Sequence, residues 1–186
     1  MRVVLLCLLC LCAFLSACQP KLRIYQENEV GLDAYGLIRD ERGAPISGML
    51  QKHTPAGKLE QEIHFADGLR HGRMKSYYES GQLKAQFDYK HGRLCGLGET
   101  YYPDGTLEMK CPHLDGKKHG VWKRYYDHGA LKSENPYVAG QAHGLWKQYG
   151  ENGRVTREIN FVRGRARGIA REYDENGRVL REIHAR

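Results

Sequence analysis

The sequence predicts an all-β fold: an elongated, single-sheet antiparallel meander of about six 24-residue β-hairpin repeats. Three ladders of glycine recur with this spacing and predict the repeat. The fourth position of the unit holds Gly48, Gly72, Gly96, Gly120, Gly144 and Gly168, the thirteenth holds Gly57, Gly81, Gly105, Gly129, Gly153 and Gly177, and the twenty-fourth holds Gly68, Gly92, Gly116, Gly140 and Gly164. Because a glycine at a constant place usually marks a backbone position with positive φ, we interpret all three ladders as turns.

The first 17 residues have the features of a signal peptide. Arg2 is a short basic region, Val3 to Phe14 form an apolar run too short to span a bilayer, and Leu15-Ser16-Ala17-Cys18 close the segment. The closing tetrapeptide resembles a bacterial lipobox, which implies cleavage before Cys18 and acylation of its thiol, as by palmitate. The alternative is an ordinary secretory signal with an incidental cysteine. Gln19 after the cysteine resembles outer-membrane sorting in Gram-negative bacteria.

The rest of the chain divides into a lipid-anchored tether with an N-terminal cap strand, residues 18–44, and a repeat domain, residues 45–186. The polar stretch from Gln19 to about Asn28 is interpreted as the tether. The stretch around Ala34–Ile38, with a turn at Asp40–Gly43, is interpreted as a strand or half-repeat that caps the first edge of the sheet. We number the repeats 1 to 6, and they span residues 45–68, 69–92, 93–116, 117–140, 141–164 and 165–186.

The sequence pattern of each repeat predicts two short strands joined by a tight turn. In repeat 3, Tyr102-Pro103-Asp104-Gly105-Thr106 fits a type I turn with Gly105 as a bulge residue of positive φ. If Tyr102 faces Thr106, position 9 opposes position 15, which pairs a tyrosine with leucine or valine in five repeats. Continuing this register without interruption predicts the further pairs Leu97–Cys111, Ile169–Ile183, His119–Tyr137 and His143–Phe161. A single twisted sheet of this kind predicts no deep pocket.

The pattern HG-x-W-x-x-YY-x-x-G-x-L-x-x-E-x-x-Y-x-x-G at His119–Gly140 resembles the bacterial variant of the MORN repeat. The resemblance covers Pro45 to Arg186 and implies a β-hairpin array that binds proteins or membranes and has no catalytic residues. Some bacterial members are labelled antitoxins of the YwqK type, which implies contact with a toxin. Repeat 1 departs from the pattern by lacking its tyrosines, and repeats 5 and 6 carry Gly150 and Asp174 in place of the second tyrosine.

Aromatic side chains recur at two positions and are candidates for partner binding, because tryptophan and tyrosine are enriched at interface hot spots. They are Trp122 and Trp146 at position 6 and Tyr78, Tyr102 and Tyr126 at position 10. The alternative is that the twist of the sheet partly buries both of its faces, so that these side chains serve packing.

The last two repeats are basic, with ten Lys/Arg against six Asp/Glu from Gln141 onward. Candidate residues for an anionic partner, lipid headgroup or envelope polymer are Arg163, Arg165, Arg167 and Arg171. We favour the alternative of a solvated end cap, because terminal repeats need a polar outer face. An exported lipoprotein does not routinely meet nucleic acid, so we expect no nucleic-acid partner.

Two cysteines, Cys95 and Cys111, lie in the repeats, and a disulfide between them is a candidate in an oxidising compartment, with free thiols the alternative. His71, His119 and His143 recur every 24 residues, but side chains on successive repeats are too far apart to share one ion. A zinc site of both cysteines with nearby histidines has no known ligand spacing, so we predict no metal.

Together these observations predict a non-catalytic envelope lipoprotein whose repeats form a protein-binding scaffold. The alternatives are an antitoxin or immunity protein that neutralises a toxin, and a module that binds the membrane or an envelope polymer. We expect no cofactor, no small-molecule substrate, membrane contact through the lipid anchor, and a location at the outer membrane facing the periplasm.

Overall fold

The computed structural model describes residues 22–185, which form one 15-stranded sheet and one two-stranded sheet. The N-terminal strands are β1 Ile24–Gln26, β2 Val30–Leu32 and β3 Ile38–Asp40, with a 3-10 turn at Glu27–Glu29. The repeat strands are β4 Gly48–His53, β5 Leu59–Ala66, β6 Leu69–Tyr77, β7 Leu83–Lys90, β8 Arg93–Tyr101, β9 Leu107–Leu114, β10 Lys117–Lys118, β11 Gly120–Tyr125, β12 Leu131–Val138, β13 Gln141–Ala142, β14 Gly144–Tyr149, β15 Val155–Val162, β16 Arg165–Tyr173 and β17 Val179–Ala185. From β4 to β17 the main strands pair antiparallel in chain order, which confirms the predicted meander of hairpins.

The turn inside each repeat has the predicted form. In repeat 3, the Tyr102 N–H donates to the Thr106 carbonyl at 2.8 Å, and Gly105 has φ +89°. The predicted pairs of positions 9 and 15 are also present, as in Tyr101 opposite Leu107. The residues of this turn and the first strand pair were therefore readable from the sequence. The prediction that the glycines at position 4 also lie in turns is wrong, because they lie in paired strands despite their positive φ, as Gly96 of β8 does opposite His113.

Beyond that first pair, the predicted register is wrong by one residue. A β-bulge inserts position 16 into the second strand of each hairpin, so that in repeat 3 Thr100 opposes Met109 and no residue lies directly opposite Glu108 in the register. A bulge of this kind places two residues of one strand against one of the other. The observed pairs are therefore Leu97–Pro112, Ile169–His184, Gly120–Tyr137 and Gly144–Phe161.

The bulge also decides which side chains share a face. Because directly opposed residues point to the same side of a sheet, positions 4, 6 and 8 lie with positions 17, 19 and 21. We call this side face A. Positions 5 and 7 lie with positions 18, 20 and 22 on the opposite side, which we call face B. Tyr137 and Phe161 thus join the tryptophans on face A.

Two-residue turns connect the repeats. The first turn residue, at position 23, has φ between 47° and 51° although it is not glycine, as in Ala139 and Arg163. The second is the glycine at position 24, such as Gly140 with φ +87°. Positive φ at both central residues is the geometry of a type I′ turn, whose twist matches that of the flanking strands.

The N-terminal segment caps the first repeat in a way that the sequence did not indicate. The edge strand is Ile24–Gln26, which lies in the predicted tether and pairs parallel with β4. The predicted cap around Ala34–Ile38 instead belongs to the separate hairpin of β2 and β3. Short edge strands are a common protection against further pairing. In this way β1 replaces a full hairpin at the start of the array.

The hydrophobic core of the described residues lies at this same end. Tyr25 from β1 and Ile46, which precedes β4, pack with Leu50, Ile63 and Phe65, which are positions 6, 19 and 21 of repeat 1. The segment 25–46 therefore covers face A of repeat 1.

The predicted signal peptide and Cys18 lie outside the described residues. Within residues 22–185 the structure contains no helix with the length and apolar character needed to cross a membrane.

Candidate functional site

Face A carries a continuous row of aromatic rings through repeats 4 and 5. Trp122 and Tyr137 lie 5.7 Å apart by ring centroid, Tyr137 and Trp146 lie 5.4 Å apart, and Trp146 and Phe161 lie 4.5 Å apart. Tilted aromatic pairs at such distances add to stability beyond their area burial. His113 extends the row, at 5.2 Å from Trp122. The rings are half-buried by one another, so packing accounts for part of their role.

An open groove of about 250 Å³ lies on this aromatic row. Its lining consists of Lys118, Trp122, Arg124, Ser133, Asn135, Tyr137 and Gln148. Trp122 is the one predicted partner-binding residue in that lining. Ser133, Asn135 and Tyr137 could not be predicted because the bulge, which brings positions 17, 19 and 21 onto face A, had no recognisable signal. Lys118, Arg124 and Gln148 lie at positions 2 and 8, where the sequence shows no aromatic pattern that would single them out.

The ammonium of Lys118 rests on the aromatic floor of the groove. Its Nζ lies 4.1 Å from the centroid of Trp122 and 4.8 Å from that of Tyr137. Contacts of this kind attract a cation through the ring quadrupole. Burial, with a smaller contribution from the charge of Lys118, lowers the pKa of the nearby His113. The groove therefore has a fixed positive charge.

Both indole N–H groups are used to join neighbouring repeats. Trp122 Nε1 donates to the Pro112 carbonyl at 3.0 Å, and Trp146 Nε1 donates to the Pro136 carbonyl at 3.2 Å. The same proline carbonyl also accepts a backbone hydrogen bond from the next histidine: the His119 N–H donates to the Pro112 carbonyl at 3.0 Å. The indole rings are thus held in place by bonds to the preceding repeat.

The predicted tyrosines at position 10 have the same linking role. Each hydroxyl donates to the backbone carbonyl of position 9 in the next repeat: Tyr78 to Tyr101 at 2.7 Å, Tyr102 to Tyr125 at 2.9 Å and Tyr126 to Tyr149 at 2.8 Å. All three side chains are half-buried and none lines the groove. These residues are recognisable in the sequence by their period, and their observed contacts lie within the array.

Face B presents the exposed apolar surface of the array. Position 5 contributes Leu97, Val121 and Leu145, and position 22 contributes Leu114, Val138 and Val162. Each is between 40% and 54% exposed. We call these six side chains the aliphatic stripe. Pro112 and Pro136, opposite Leu97 and Val121, continue it between the two positions.

Ion pairs occupy face B on the turn side of the aliphatic stripe. They join positions 7 and 18, as in Lys123 to Glu134 at 2.8 Å. Tyrosines at position 9 bond to the same carboxylates, and Tyr149 donates to Glu134 at 2.9 Å. Burial, followed by its carboxylate hydrogen bond, raises the pKa of Tyr149 to about 12, and the same holds for Tyr77 beside Glu62. The charges on this part of face B therefore neutralise one another.

The four arginines predicted as an anionic surface separate into two groups. Arg171 lies between Glu158, at 3.4 Å, and Glu182, at 2.8 Å, so its charge is already paired. Arg165 and Arg167 are exposed on face B, opposite Val162 and Asn160, and Arg163 is exposed at the turn before them. None of these three takes part in a salt bridge within residues 22–185.

The predicted disulfide is absent, and both cysteines are free. Cys95 opposes Asp88 on β7, whereas Cys111 opposes Gly98, which is three residues further along β8. Three residues of strand span about 10 Å, which exceeds the Cα separation that a disulfide allows. Cys111 is 1% exposed, and burial raises the pKa of its thiol to about 11. The described residues contain no group of three or more potential metal ligands.

A family model described as the MORN repeat variant matches residues 70–91, 94–115, 118–139, 142–163 and 167–185. The chain belongs to this family. The five matched units of the MORN repeat variant correspond to repeats 2 to 6, and repeat 1 lies outside the matched residues even though β4 and β5 form the same bulged hairpin. A comparison with curated proteins gives no match.

Proposed function

We propose that this chain is a non-catalytic bacterial envelope lipoprotein, acylated at Cys18, whose MORN repeats form a protein-binding scaffold. The observation that carries the proposal is the aliphatic stripe on face B. It extends over three consecutive repeats, and every member is at least 40% exposed. Contiguous exposed apolar surface of this kind marks interaction sites in soluble domains.

In this proposal the partner binds to face B rather than to the tryptophan and tyrosine side chains. The indole N–H groups of Trp122 and Trp146 already bond within the array. The stripe side chains are aliphatic and have no polar groups to satisfy, so their cover by a partner needs no compensating hydrogen bond. A toxin, as the YwqK-type resemblance implies, is one such partner.

Crosslinking and pull-down from native membranes test this function, with the full acylated protein as bait. We expect Val121→Ser and Leu145→Ser together to abolish recovery of the partner while the protein remains folded, because both residues are already 42% exposed. The matched control is Leu32→Ser, an exposed apolar residue outside the repeats. Undiminished recovery with the stripe variant would refute the assignment.

A second function, binding to an anionic membrane surface, is supported by the position of two free cations. Arg165 lies opposite Val162 on face B, and Arg167 lies two residues further on the same strand. Aliphatic side chains beside basic ones suit a surface of anionic lipid, where each basic residue contributes about 1 kcal/mol.

Liposome co-sedimentation of a Cys18→Ser variant tests the second function without the lipid anchor. We expect binding to anionic vesicles to fall at high salt and with Arg165→Gln plus Arg167→Gln, because screening weakens attraction between exposed charges. Binding that persists at high salt would count against the electrostatic mechanism.

A further inference from the structure

The groove on face A contains cations without counter-charges. Lys118 and Arg124 line it together with the neutral side chains of Ser133, Asn135 and Gln148, and no carboxylate does. Neither cation takes part in a salt bridge within the described chain, whereas Lys123, between them and on face B, is paired with Glu134. The charge of the groove is therefore available to a ligand, and that ligand is anionic.

The cation at the floor of the groove is already positioned. Lys118 Nζ lies within 5 Å of the centroids of Trp122 and Tyr137, and the indole of Trp122 is itself fixed by its bond to Pro112. A group that is ordered before association loses less freedom on binding. The ammonium also covers a face of Trp122, so that ring face is not open for stacking against a flat sugar.

The other end of the array shows what fits on face A. Positions 6, 19 and 21 of repeat 1 are Leu50, Ile63 and Phe65, which are 4%, 3% and 7% exposed. The chain covers them with Tyr25, from the extended strand β1, and with Ile46, and Ile38 of the extended strand β3 packs against the same cluster. The same positions in repeat 4 are Trp122, Asn135 and Tyr137, which are uncovered and line the groove.

From these observations we infer that the groove of repeats 4 and 5 binds an extended acidic peptide segment of a partner protein. Carboxylates of the segment pair with Lys118 and with Arg124. The amides of Asn135 and Gln148 are suited to bond with its backbone. This site is separate from the aliphatic stripe, because it lies on the opposite face of the sheet.

Isothermal titration of the full-length protein tests the site. The probe is a synthetic peptide that alternates glutamate with serine, and its counterpart has glutamine for glutamate. We expect the glutamate peptide to bind at least tenfold more tightly, since hydrogen bonds between charged groups are stronger than those between neutral groups. Lys118→Met should remove most of that difference, and Lys118→Arg should retain it.

Control variants separate this site from general attraction to a basic protein. Arg165→Gln plus Arg167→Gln should leave binding of the glutamate peptide unchanged, as should the stripe variants on face B. Equal affinity for the two peptides, an equal loss with the arginine control, or tighter binding of polyglucuronate than of the glutamate peptide would each overturn the inference. Thermal unfolding of Lys118→Met checks that its loss of binding occurs in a folded protein. None of these outcomes bears on the stripe.

Discussion

Gly98 provides the sharpest test of packing on face A. It occupies position 6 of repeat 3, where repeats 4 and 5 carry tryptophan. A Cβ added there would lie 2.5 Å from Phe87 Cδ1, 2.6 Å from Phe87 Cε1 and 2.9 Å from Cys111 Sγ. Real Cβ atoms do not approach neighbours this closely, so Gly98→Ala requires the Phe87 ring to move.

The expected cost follows from this crowding alone. The backbone of Gly98 lies outside the left-handed region, so alanine adopts it without strain. Overpacking of a filled site costs about 1–3 kcal/mol. In a chain of this size each kcal/mol lowers the melting temperature by about 2–4 °C. Cys111, the second contact, is 1% exposed and cannot yield space outward.

Denaturant unfolding, followed by circular dichroism, measures the effect. Gly31→Ala is the matched control, because its added Cβ meets nothing within 4 Å and its φ also lies outside the left-handed region. We expect no loss from the control and a loss of about 1–3 kcal/mol from Gly98→Ala. Phe87→Leu should reduce the cost of the alanine in a double-mutant cycle, because contacting residues couple. A Gly98→Ala variant as stable as the parent would refute the assigned position of Phe87.

Four further predictions concern the links between repeats, the turns, pH and thiol reactivity. Tyr102→Phe should lower the free energy of unfolding by about 0.5–1.5 kcal/mol in denaturant titrations, because it removes a bond between repeats. Ala139→Gly should raise the melting temperature, because it relieves a φ of 49° that only glycine adopts freely. Folding raises the pKa of Tyr77 to about 12, so stability should fall as pH rises from about 10 through 12, and Tyr77→Phe should flatten that fall in denaturant midpoints measured across this range. In the native protein, alkylation followed by peptide mapping should modify Cys95 and spare Cys111, because the thiolate is the reactive form and burial disfavours it.

The repeat, its turns and the first strand pair of each hairpin could be predicted from the sequence, because each depends on a residue type with one strong local requirement. Gly105 is such a residue, since its φ of +89° is one that side chains disfavour. The bulge could not be predicted in the same way. Its position holds Glu108 in repeat 3, Lys132 in repeat 4 and Leu180 in repeat 6, and these have no common property that marks an unpaired residue.

This single inserted residue had the largest effect on the candidate site. A shift of one residue moves a side chain to the other face of a sheet. Without the bulge, Tyr137 would lie with Val121 on face B, and the apolar surface there would be aromatic. With it, Tyr137 lies opposite Gly120 and against Trp122, which leaves Val121 beside Pro136 and exposed. The groove and the aliphatic stripe are therefore two consequences of one bulge.

The position of the groove along the array follows from the residue at position 6. Repeat 1 holds Leu50 there, which the N-terminal segment covers, and in repeat 3 the ring of Phe87 occupies the space over Gly98. Repeat 6 holds Ala170, whose methyl side chain provides no aromatic surface for the floor of a groove. At position 6, the tryptophans of repeats 4 and 5 have side chains large enough to form the aromatic floor of the groove. Lys118 lies over the ring of Trp122. A Trp122→Ala variant should therefore lose both the fixed ammonium and the floor of the groove, and it should weaken glutamate-peptide binding more than Lys118→Met does.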